Sequence, residues 1–248
     1  MDMGGLPWVD IEDKDGVYQA VPFLPNNPVI LEAGACAAED TIRFKHVWPA
    51  SVIYCFEPTP CLFEIASRNI ANPPSRFSKT ENLDGIHLYN CALSDAVGEQ
   101  PFFVGGNMPA TSSLFQDNWE NITLPDSVCE SVGIPREKLA KMGYNDQPTT
   151  VQTTTIDAWR KENSIGDIDY IWLDTEGAEL LVLSGALETL PRVKVLHLEF
   201  SMQEFRKGWV LFDDLYKFVD EHGFVIKAIW QVHENWTGNA VFVSKELA

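Results

Sequence analysis

The sequence is poor in positive charge. Its 248 residues include 18 lysines and arginines against 36 aspartates and glutamates, which gives a formal charge of −18 at pH 7. Such a chain repels the phosphate backbone of nucleic acids and has no basic stripe along which they could bind. We therefore expect no nucleic-acid substrate.

Long apolar runs and paired cysteines are also lacking. No run approaches the roughly 20 residues of a membrane span, and the acidic N-terminus lacks the basic and then apolar layout of a signal peptide. The five cysteines are odd in number and lack the spacing of a disulfide framework or a zinc site. We expect reduced thiols, no membrane span and a cytoplasmic protein.

Apolar, strand-like runs alternate with helical runs through most of the chain. The predicted strands are 29–31, 51–56, 86–93, 170–173, 194–200, 224–232 and 240–243, and the predicted helices are 39–47, 61–70, 177–187 and 212–222. This alternation predicts a doubly wound α/β fold with a parallel sheet. The turn-rich stretch before the last strand predicts a closing antiparallel hairpin.

The chain contains no linker that would divide it into two domains. We predict a single domain over residues 28–248, preceded by an N-terminal arm over 1–27 that docks on it. Residues 105–150 are rich in Gly, Pro, Asn and Ser, and a connection this long is usually a lid or a substrate-binding insertion.

The turn after the first strand consists of small residues. It reads Glu32-Ala33-Gly34-Ala35-Cys36-Ala37-Ala38, and small residues let the backbone approach a ligand closely. The second and third glycines of the dinucleotide fingerprint are missing, which argues against a nicotinamide-dependent oxidoreductase. The alternative interpretation is a tight strand-to-helix turn without a ligand.

Polar side chains end the next two strands. Glu57, followed by Pro58, comes roughly 20 residues after the first turn, where an acidic residue can accept hydrogen bonds from ribose hydroxyls. Asn90 and Asp95 end the third strand and could bind an adenine edge. Asp95 could equally cap the local turn.

Three carboxylates follow the strand-like run at 170–173. Asp174 and Glu176 fall at the carboxyl edge of the predicted sheet, where ligands bind in open α/β folds. We expect both beside a pocket. Glu179 is expected to lie on the helix surface as a solvated charge.

Five segments together resemble the FkbM family of S-adenosylmethionine-dependent methyltransferases. They are Glu32-x-Gly34, Phe56-Glu57-Pro58, Ala92-Leu93-Ser94-Asp95, the run 151–157 and the run 171–179. The resemblance extends from about residue 29 to 243 and is weakest in the insertion. It implies a class I methyltransferase (Rossmann-like) sheet of seven mostly parallel strands, with helices on both faces and an antiparallel last strand.

The resemblance also implies a function. S-adenosyl-L-methionine would be the cofactor, and the methyl group would go to a hydroxyl of a sugar, a glycan or a small secondary metabolite. Glu57 would hold the ribose, the turn 32–36 the methionine portion and Asp174 the reacting centre. The implied cofactor-binding residues are Glu32, Gly34, Ala35, Cys36, Glu57, Pro58, Asn90, Ala92, Asp95 and Asp174.

One departure from the family pattern affects the first turn. Family members usually have Asp-x-Gly-Ala-Asn-x-Gly, whereas this chain has Glu32, Cys36 and Ala38 at the first, fifth and last of these positions. Weaker cofactor binding is one expected consequence. The departure also motivates an alternative function, a non-catalytic binding or assembly protein that retains the fold.

Methyl transfer to a hydroxyl needs a group that takes the hydroxyl proton. Asp174 is the best-placed candidate, followed by Glu176, His197 and Glu199. Alternatively, Asp174 and Glu199 could hold a divalent cation such as Mg²⁺, since oxygen-only ligands suit hard cations. The metal-free interpretation is favoured, and His197 is interpreted as a core histidine that shares a strand face with Glu199.

Aromatic and polar residues outside these motifs complete the predictions. His233, Trp236, Trp119, Met108 and Phe115 could shape an acceptor pocket, or form a hydrophobic patch for a homodimer. Thr153, Thr154 and Thr155 are predicted to form a strand that enters the sheet. Asp157 is predicted to cap the helix that begins near Ala158.

Overall fold

Ten strands and six α-helices are present in this computed structural model, which describes residues 16–75, 82–105, 109–118, 148–233 and 237–248. The strands are β1 Val29–Ala33, β2 Val52–Phe56, β3 Ile86–Tyr89, β4 Ala92–Leu93, β5 Gly98–Phe102, β6 Thr149–Thr154, β7 Tyr170–Leu173, β8 Val195–Ser201, β9 Phe224–His233 and β10 Thr237–Ser244. The helices are α1 Val17–Ala20, α2 Glu39–Val47, α3 Pro60–Ala71, α4 Ile156–Glu162, α5 Glu179–Ser184 and α6 Phe212–Glu221.

The main sheet has seven strands in the order β3-β2-β1-β7-β8-β10-β9. The first five of these strands are parallel, and β10 is antiparallel to both β8 and β9. This confirms the predicted mostly parallel sheet with an antiparallel last strand. The strand order reverses between β1 and β7, which is where open α/β sheets bind ligands.

Helices cover both faces of the main sheet. Side chains of α4, α5 and α6 pack on the face that carries Leu31 and Ile171, and those of α1 and α2 pack on the face that carries Ile30 and Tyr170. The central strands read as continuous apolar runs because both of their faces are buried. Their tips are thereby held at one edge of the molecule.

The predicted third strand, 86–93, is wrong as a single element. It divides into β3 and β4, and β4 belongs to a separate three-stranded sheet with the order β4-β6-β5. The break falls at Asn90, whose side-chain amide donates to the carbonyl oxygens of Glu57 at 2.8 Å and Pro58 at 3.3 Å. These bonds hold the end of β3 against β2 while the chain turns away.

The predictions for residues 153–157 also need correction. Thr153 and Thr154 lie in β6, which pairs with β4 and β5 rather than with the main sheet, and Thr155 follows the strand. The residue that caps α4 is Thr155, whose hydroxyl accepts from the amide of Ala158 at 3.0 Å. Asp157 instead accepts from the amide of Glu188 at 2.8 Å.

Several predicted features lie outside the described residues. They are Met108, Trp119, Trp236, the side chain of His233, residues 1–15 of the N-terminal arm and most of the insertion. Within the described part of the chain, Val17 and Ala20 are buried in the core beneath α2. No helix among the described residues is long and apolar enough to cross a membrane.

Candidate active site

A cavity opens at the carboxyl edge of the main sheet, above the tips of β1, β2 and β7. Its lining includes predicted and unpredicted residues, namely Ala33, Gly34, Cys36, Phe56, Glu57, Pro58, Thr59, Leu62, Cys91, Ala92, Leu93, Phe102, Pro109, Ala110, Ser112, Leu114, Asp174, Thr175, Glu176 and Ala178. Six separate segments of the chain thus meet at one site.

Gly34 allows the tips of β1 and β7 to approach each other. Its φ is +87°, a conformation that favours glycine, and a Cβ there would lie 1.8 Å from the carbonyl oxygen of Asp174. The amide of Asp174 donates to the carbonyl oxygen of Ala33 at 3.1 Å. Any larger residue at position 34 would therefore separate the two tips that form the centre of the cavity.

Glu57 is buried at the tip of β2 and lines the cavity. Its two carboxylate oxygens accept from the amides of Cys36 at 2.8 Å and Thr59 at 2.7 Å. Burial raises the pKa of Glu57, and the hydrogen bonds to Thr59 and Cys36 oppose this effect. Because a carboxylate offers about four lone-pair sites, Glu57 can still accept two hydroxyl donors from a ribose. This arrangement fits the cofactor that the resemblance implies.

Glu32 and Ala35 belong to the same turn, but neither lines the cavity as far as the described residues show. Glu32 is fully buried below the turn, where its carboxyl group accepts a short hydrogen bond from the hydroxyl of Thr41. Burial, together with the nearby charge of Asp40, raises the pKa of Glu32 to about 8. Its position makes Glu32 a support for the turn.

The residues predicted to bind adenine occupy different places. Ala92 lines the cavity. Asn90 is tied to the carbonyl groups of residues 57 and 58, and Asp95 accepts from the hydroxyl of Ser94 at 3.1 Å. The bond to Ser94 is the local turn contact that was the alternative for Asp95. Contact with adenine remains a prediction for both residues.

Three carboxylates converge at the tips of β7 and β8. Oxygen atoms of Asp174, Glu176 and Glu199 lie within 4.8 Å of one another, and Asp174 is the exposed member. The pKa of Glu199 lies well above its usual value because the group is buried and because Glu176 and Asp174 are negatively charged; Arg206 opposes this shift. The cluster thus contains both an accessible carboxylate and one that binds a proton readily.

The prediction that Glu179 is a solvated surface charge is wrong. The residue is 2% exposed, and one carboxylate oxygen accepts from the amide and the hydroxyl of Thr175 at 2.9 and 2.8 Å and from the amide of Gly177 at 3.4 Å. Thr175 and Gly177 precede α5, so these bonds run back from the first residue of the helix. They fix the turn that follows Asp174 and carries Glu176.

His197 is buried and stacks on Trp172, with ring centroids 3.4 Å apart and an angle of 2° between the planes. Its register partner is Trp172 in the neighbouring strand β7. Trp172 lies two residues before Asp174 in the sequence. This position fits the interpretation of His197 as a core residue. Glu199, two residues later on the same face, is the member of the pair that reaches the carboxylate cluster.

Arg206 is a site residue that the sequence did not reveal. It is buried and pairs with Glu176 at 2.7 Å and Asp117 at 2.6 Å. Burial would lower the pKa of Arg206, but these two carboxylates outweigh it and raise the pKa above its usual value. No motif surrounds Arg206, and its partners lie 30 and 89 residues away in the sequence.

Residues 32–226 match the family model described as the methyltransferase FkbM domain. The chain belongs to the FkbM methyltransferase family. The match includes every residue that lines the cavity and most of the main sheet. It confirms the resemblance drawn from the five sequence segments. The carboxyl-edge cavity is therefore the candidate active site of an FkbM methyltransferase.

Several known proteins are similar to the chain. It is 29% identical to the 2-O-methyltransferase NoeI of Sinorhizobium fredii, over 73% of this chain and 67% of that protein. It is 28% identical to the methyltransferase sdnD of Sordaria araneosa, over 66% of this chain and 62% of that protein. The chain thus spans about two thirds of the length of these relatives.

Among solved structures, the magnesium protoporphyrin IX methyltransferase of Synechocystis with bound cofactor is similar at 10% identity and a TM-score of 0.47. The likeness covers 97% of this chain and 86% of that structure.

Proposed function

We propose that the protein is an S-adenosylmethionine-dependent O-methyltransferase that acts on a hydroxyl of a sugar, a glycan or a small metabolite. The observation that carries the proposal is the composition of one cavity. A buried acceptor for ribose hydroxyls, Glu57, and an exposed carboxylate, Asp174, line it on either side of the Gly34 turn. The name of the relative NoeI, a 2-O-methyltransferase, supports a hydroxyl acceptor.

When bound, the cofactor supplies a methyl group that is already activated, so the chain needs mainly to bind and orient the reactants. Glu57 and Pro58 hold the ribose end, and Gly34 and Cys36 border the methionine end. Asp174, at the cavity surface, takes the proton of the acceptor hydroxyl. Because Asp174 is exposed, it can release that proton to solvent. Glu199 belongs to the same carboxylate cluster, and its raised pKa favours the protonated form, which keeps a second negative charge away from Asp174.

The proposal is metal-free. Asp174, Glu176 and Glu199 are oxygen ligands that a divalent cation could use, but Glu176 already binds the guanidinium of Arg206. That guanidinium supplies positive charge to the cluster without a metal ion. We expect turnover to survive treatment with a chelator, and loss of turnover that added Mg²⁺ restores would contradict this part of the proposal.

Calorimetry with S-adenosylmethionine and its demethylated product tests cofactor binding. We expect micromolar binding to the unmodified chain and at least a tenfold loss in Glu57→Ala, because the ribose hydroxyls lose their acceptor. Glu64→Ala, which removes an exposed carboxylate on α3, is the matched control and should bind normally. Absence of binding by the unmodified chain would refute the proposal.

Turnover tests the assignment of Asp174. With a panel of sugar and small hydroxylated acceptors, Asp174→Asn should lower kcat about 100-fold or more because the proton acceptor is lost, while the affinity for the demethylated cofactor, which has no sulfonium charge, changes little. Unchanged kcat in Asp174→Asn would shift the role to Glu199.

The second candidate function is a non-catalytic binding or assembly protein. The altered first turn, with Cys36 and Ala38, favours it. Cofactor binding with no turnover on any acceptor, and with the same affinity in Asp174→Asn, would be the expected result for this alternative.

A further inference from the structure

Arg206 joins two separate parts of the candidate active site. Its guanidinium donates to the carboxylate of Asp117 at 2.6 Å, the carbonyl oxygen of Thr111 at 2.7 Å and the carboxylate of Glu176 at 2.7 Å. It also lies 5.9 Å from the ring centroid of Trp209. One buried side chain thus contacts the strand tip and a segment about 90 residues earlier in the chain.

That earlier segment, residues 109–118, forms one wall of the cavity. Pro109, Ala110, Ser112 and Leu114 line the cavity beside Glu176. The segment begins with a short 3₁₀ helix, Pro109–Thr111. It has no place in either sheet, so contacts with other segments must hold it in position.

The wall makes two sets of backbone contacts, one between Ser113 and Phe103, at 2.8 and 3.0 Å, and one with residues 205–207. The amide of Asn118 donates to the carbonyl oxygen of Phe205 at 2.7 Å, and the amide of Lys207 donates to that of Gln116 at 2.8 Å. Asp117 and Arg206 form an antiparallel bridge between these two bonds. The ion pair of Arg206 therefore lies between the two backbone hydrogen bonds that join the wall to residues 205–207.

The wall is also attached to the strand tip. The hydroxyl of Ser113 donates to the carbonyl oxygen of Glu176 at 2.9 Å. Trp209 packs so closely on Gly177 that a Cβ at that glycine would lie 2.7 Å from its ring. Movement of the wall would therefore move Glu176, which lies within the carboxylate cluster.

We propose that Arg206 is a positioning residue that fixes the 109–118 wall on the Glu176 tip and thereby shapes the acceptor side of the active site. This inference rests on the proposed function. Arg206 acts through Glu176 and Asp117 and need not touch the reactants. The wall is bonded to the Glu176 tip through Ser113 and Arg206, so the effect should fall on the acceptor rather than on the cofactor.

The chemistry of arginine suits this task better than that of lysine. A planar guanidinium can donate in several fixed directions at once, whereas an ammonium group is a compact point charge. Arg206→Lys should therefore keep one of the two ion pairs and lose the rest of the arrangement. Arg206→Met should lose all of it and leave Glu176 and Asp117 without their shared partner.

Hydrogen exchange tests the structural half of the proposal without any need for turnover. In Arg206→Met, the amides of Asn118 and Lys207 should exchange at least tenfold faster, while amides of β1 and β7 stay protected. Lys217→Met removes an exposed cation on α6, away from the wall, and is the control. Unchanged exchange at both amides in Arg206→Met would overturn the proposal.

Steady-state kinetics tests the functional half. Arg206→Met should raise KM for the acceptor about tenfold or more. The KM of Arg206→Lys should lie between that of Arg206→Met and that of the unmodified chain. In both variants the affinity for the demethylated cofactor should change less than twofold. Lys217→Met should leave all of these values unchanged. An equal loss of acceptor and cofactor binding would overturn the assignment to the acceptor side.

Two outcomes separate this inference from the proposed function. If the unmodified chain transfers no methyl group, the proposed function fails and hydrogen exchange alone decides whether Arg206 fixes the wall. If Arg206→Met does not fold, Asp117→Asn takes its place, since it weakens the wall side and leaves the pair with Glu176. Faster exchange at Asn118 supports the proposal in that variant, and unchanged exchange overturns it.

Discussion

Cys36 and Ala38 have left-handed backbone conformations in the turn that borders the cofactor end of the cavity. Their φ angles are +50° and +61°. This conformation costs a residue with a Cβ roughly 1–2 kcal/mol, and only Gly, and to a lesser degree Asn and Asp, adopts it readily. The family pattern has Asn and Gly at these two positions. The departure in this chain therefore costs backbone strain.

The strain predicts opposite behaviour for two adjacent alanines. Ala38→Gly should leave the free energy of unfolding unchanged or raise it by about 0.5 kcal/mol, because relief of strain exceeds the loss of one buried methyl group. Ala37→Gly, at an ordinary φ, should lower it by about 0.5–1 kcal/mol because glycine is more flexible when unfolded. Urea denaturation measures both changes. Equal losses in the two variants would show that position 38 is not strained.

Glu32 makes stability depend on pH. Its pKa is raised to about 8 in the folded chain, mainly by burial, whereas an unfolded glutamate titrates near its ordinary value of 4.5. Between these two values the folded state binds the proton more tightly than the unfolded state. The stability from this group is therefore greatest below about pH 4.5 and is lost as the pH rises toward about 8.

Glu32→Gln should remove this dependence. At about pH 5 the variant and the unmodified chain should be nearly equally stable, since both present a neutral group to Thr41. At about pH 9 the variant should be more stable by up to about 5 kcal/mol, an upper limit set by the pKa difference. Urea denaturation across this range gives the difference, with Glu64→Gln as the exposed control. A difference that does not grow with pH would contradict the buried-acid interpretation.

At the scale of elements, the sequence predicted the central strands and missed the small sheet. β1 and β7 are short apolar runs because both of their faces are buried, and that pattern is visible in any window of the sequence. β5, Gly98–Phe102, has largely exposed side chains and shows no apolar alternation. It is held as a strand by antiparallel pairing with β6, a partner about 50 residues away.

The break between β3 and β4 has a similar cause. Residues 86–93 read as one strand because Leu88, Cys91 and Leu93 are apolar, yet the chain turns at Asn90. The turn depends on hydrogen bonds from the Asn90 side chain to the end of β2. A hydrogen bond of this kind has no local sequence pattern. The strand predicted from the sequence is therefore too long.

The same distinction applies to the residues of the candidate site. Gly34, Glu57 and Asp174 were predictable because each directly follows a recognisable strand, and parallel strands end at one edge. Glu179 and Arg206 were not, because their roles depend on the turn geometry and on segments brought together only by folding. Burial of Glu179 also contradicts the usual behaviour of a glutamate at a helix start, which is to remain solvated.

At the scale of the whole molecule, the excess of acidic residues should affect how tightly the proposed cofactor binds. The chain carries a formal charge of −18, and the exposed carboxylate of Asp174 lies on the cavity surface. S-adenosylmethionine carries a positive sulfonium that its demethylated product lacks. A negative field therefore favours the substrate form of the cofactor over the product form, and product release follows from loss of that charge.

This negative field predicts that the affinities for S-adenosylmethionine and for its demethylated product depend differently on salt. Raising NaCl from about 0.02 M to about 0.5 M shortens the screening length from roughly 20 Å to roughly 4 Å. The affinity for S-adenosylmethionine should fall several-fold, whereas that for the product should change little. Asp174→Asn should reduce the difference between the two slopes, because it removes the exposed charge closest to the proposed position of the sulfonium. Calorimetry at several salt concentrations measures both slopes, and parallel slopes would mean that the acidic field of the molecule does not reach the cofactor.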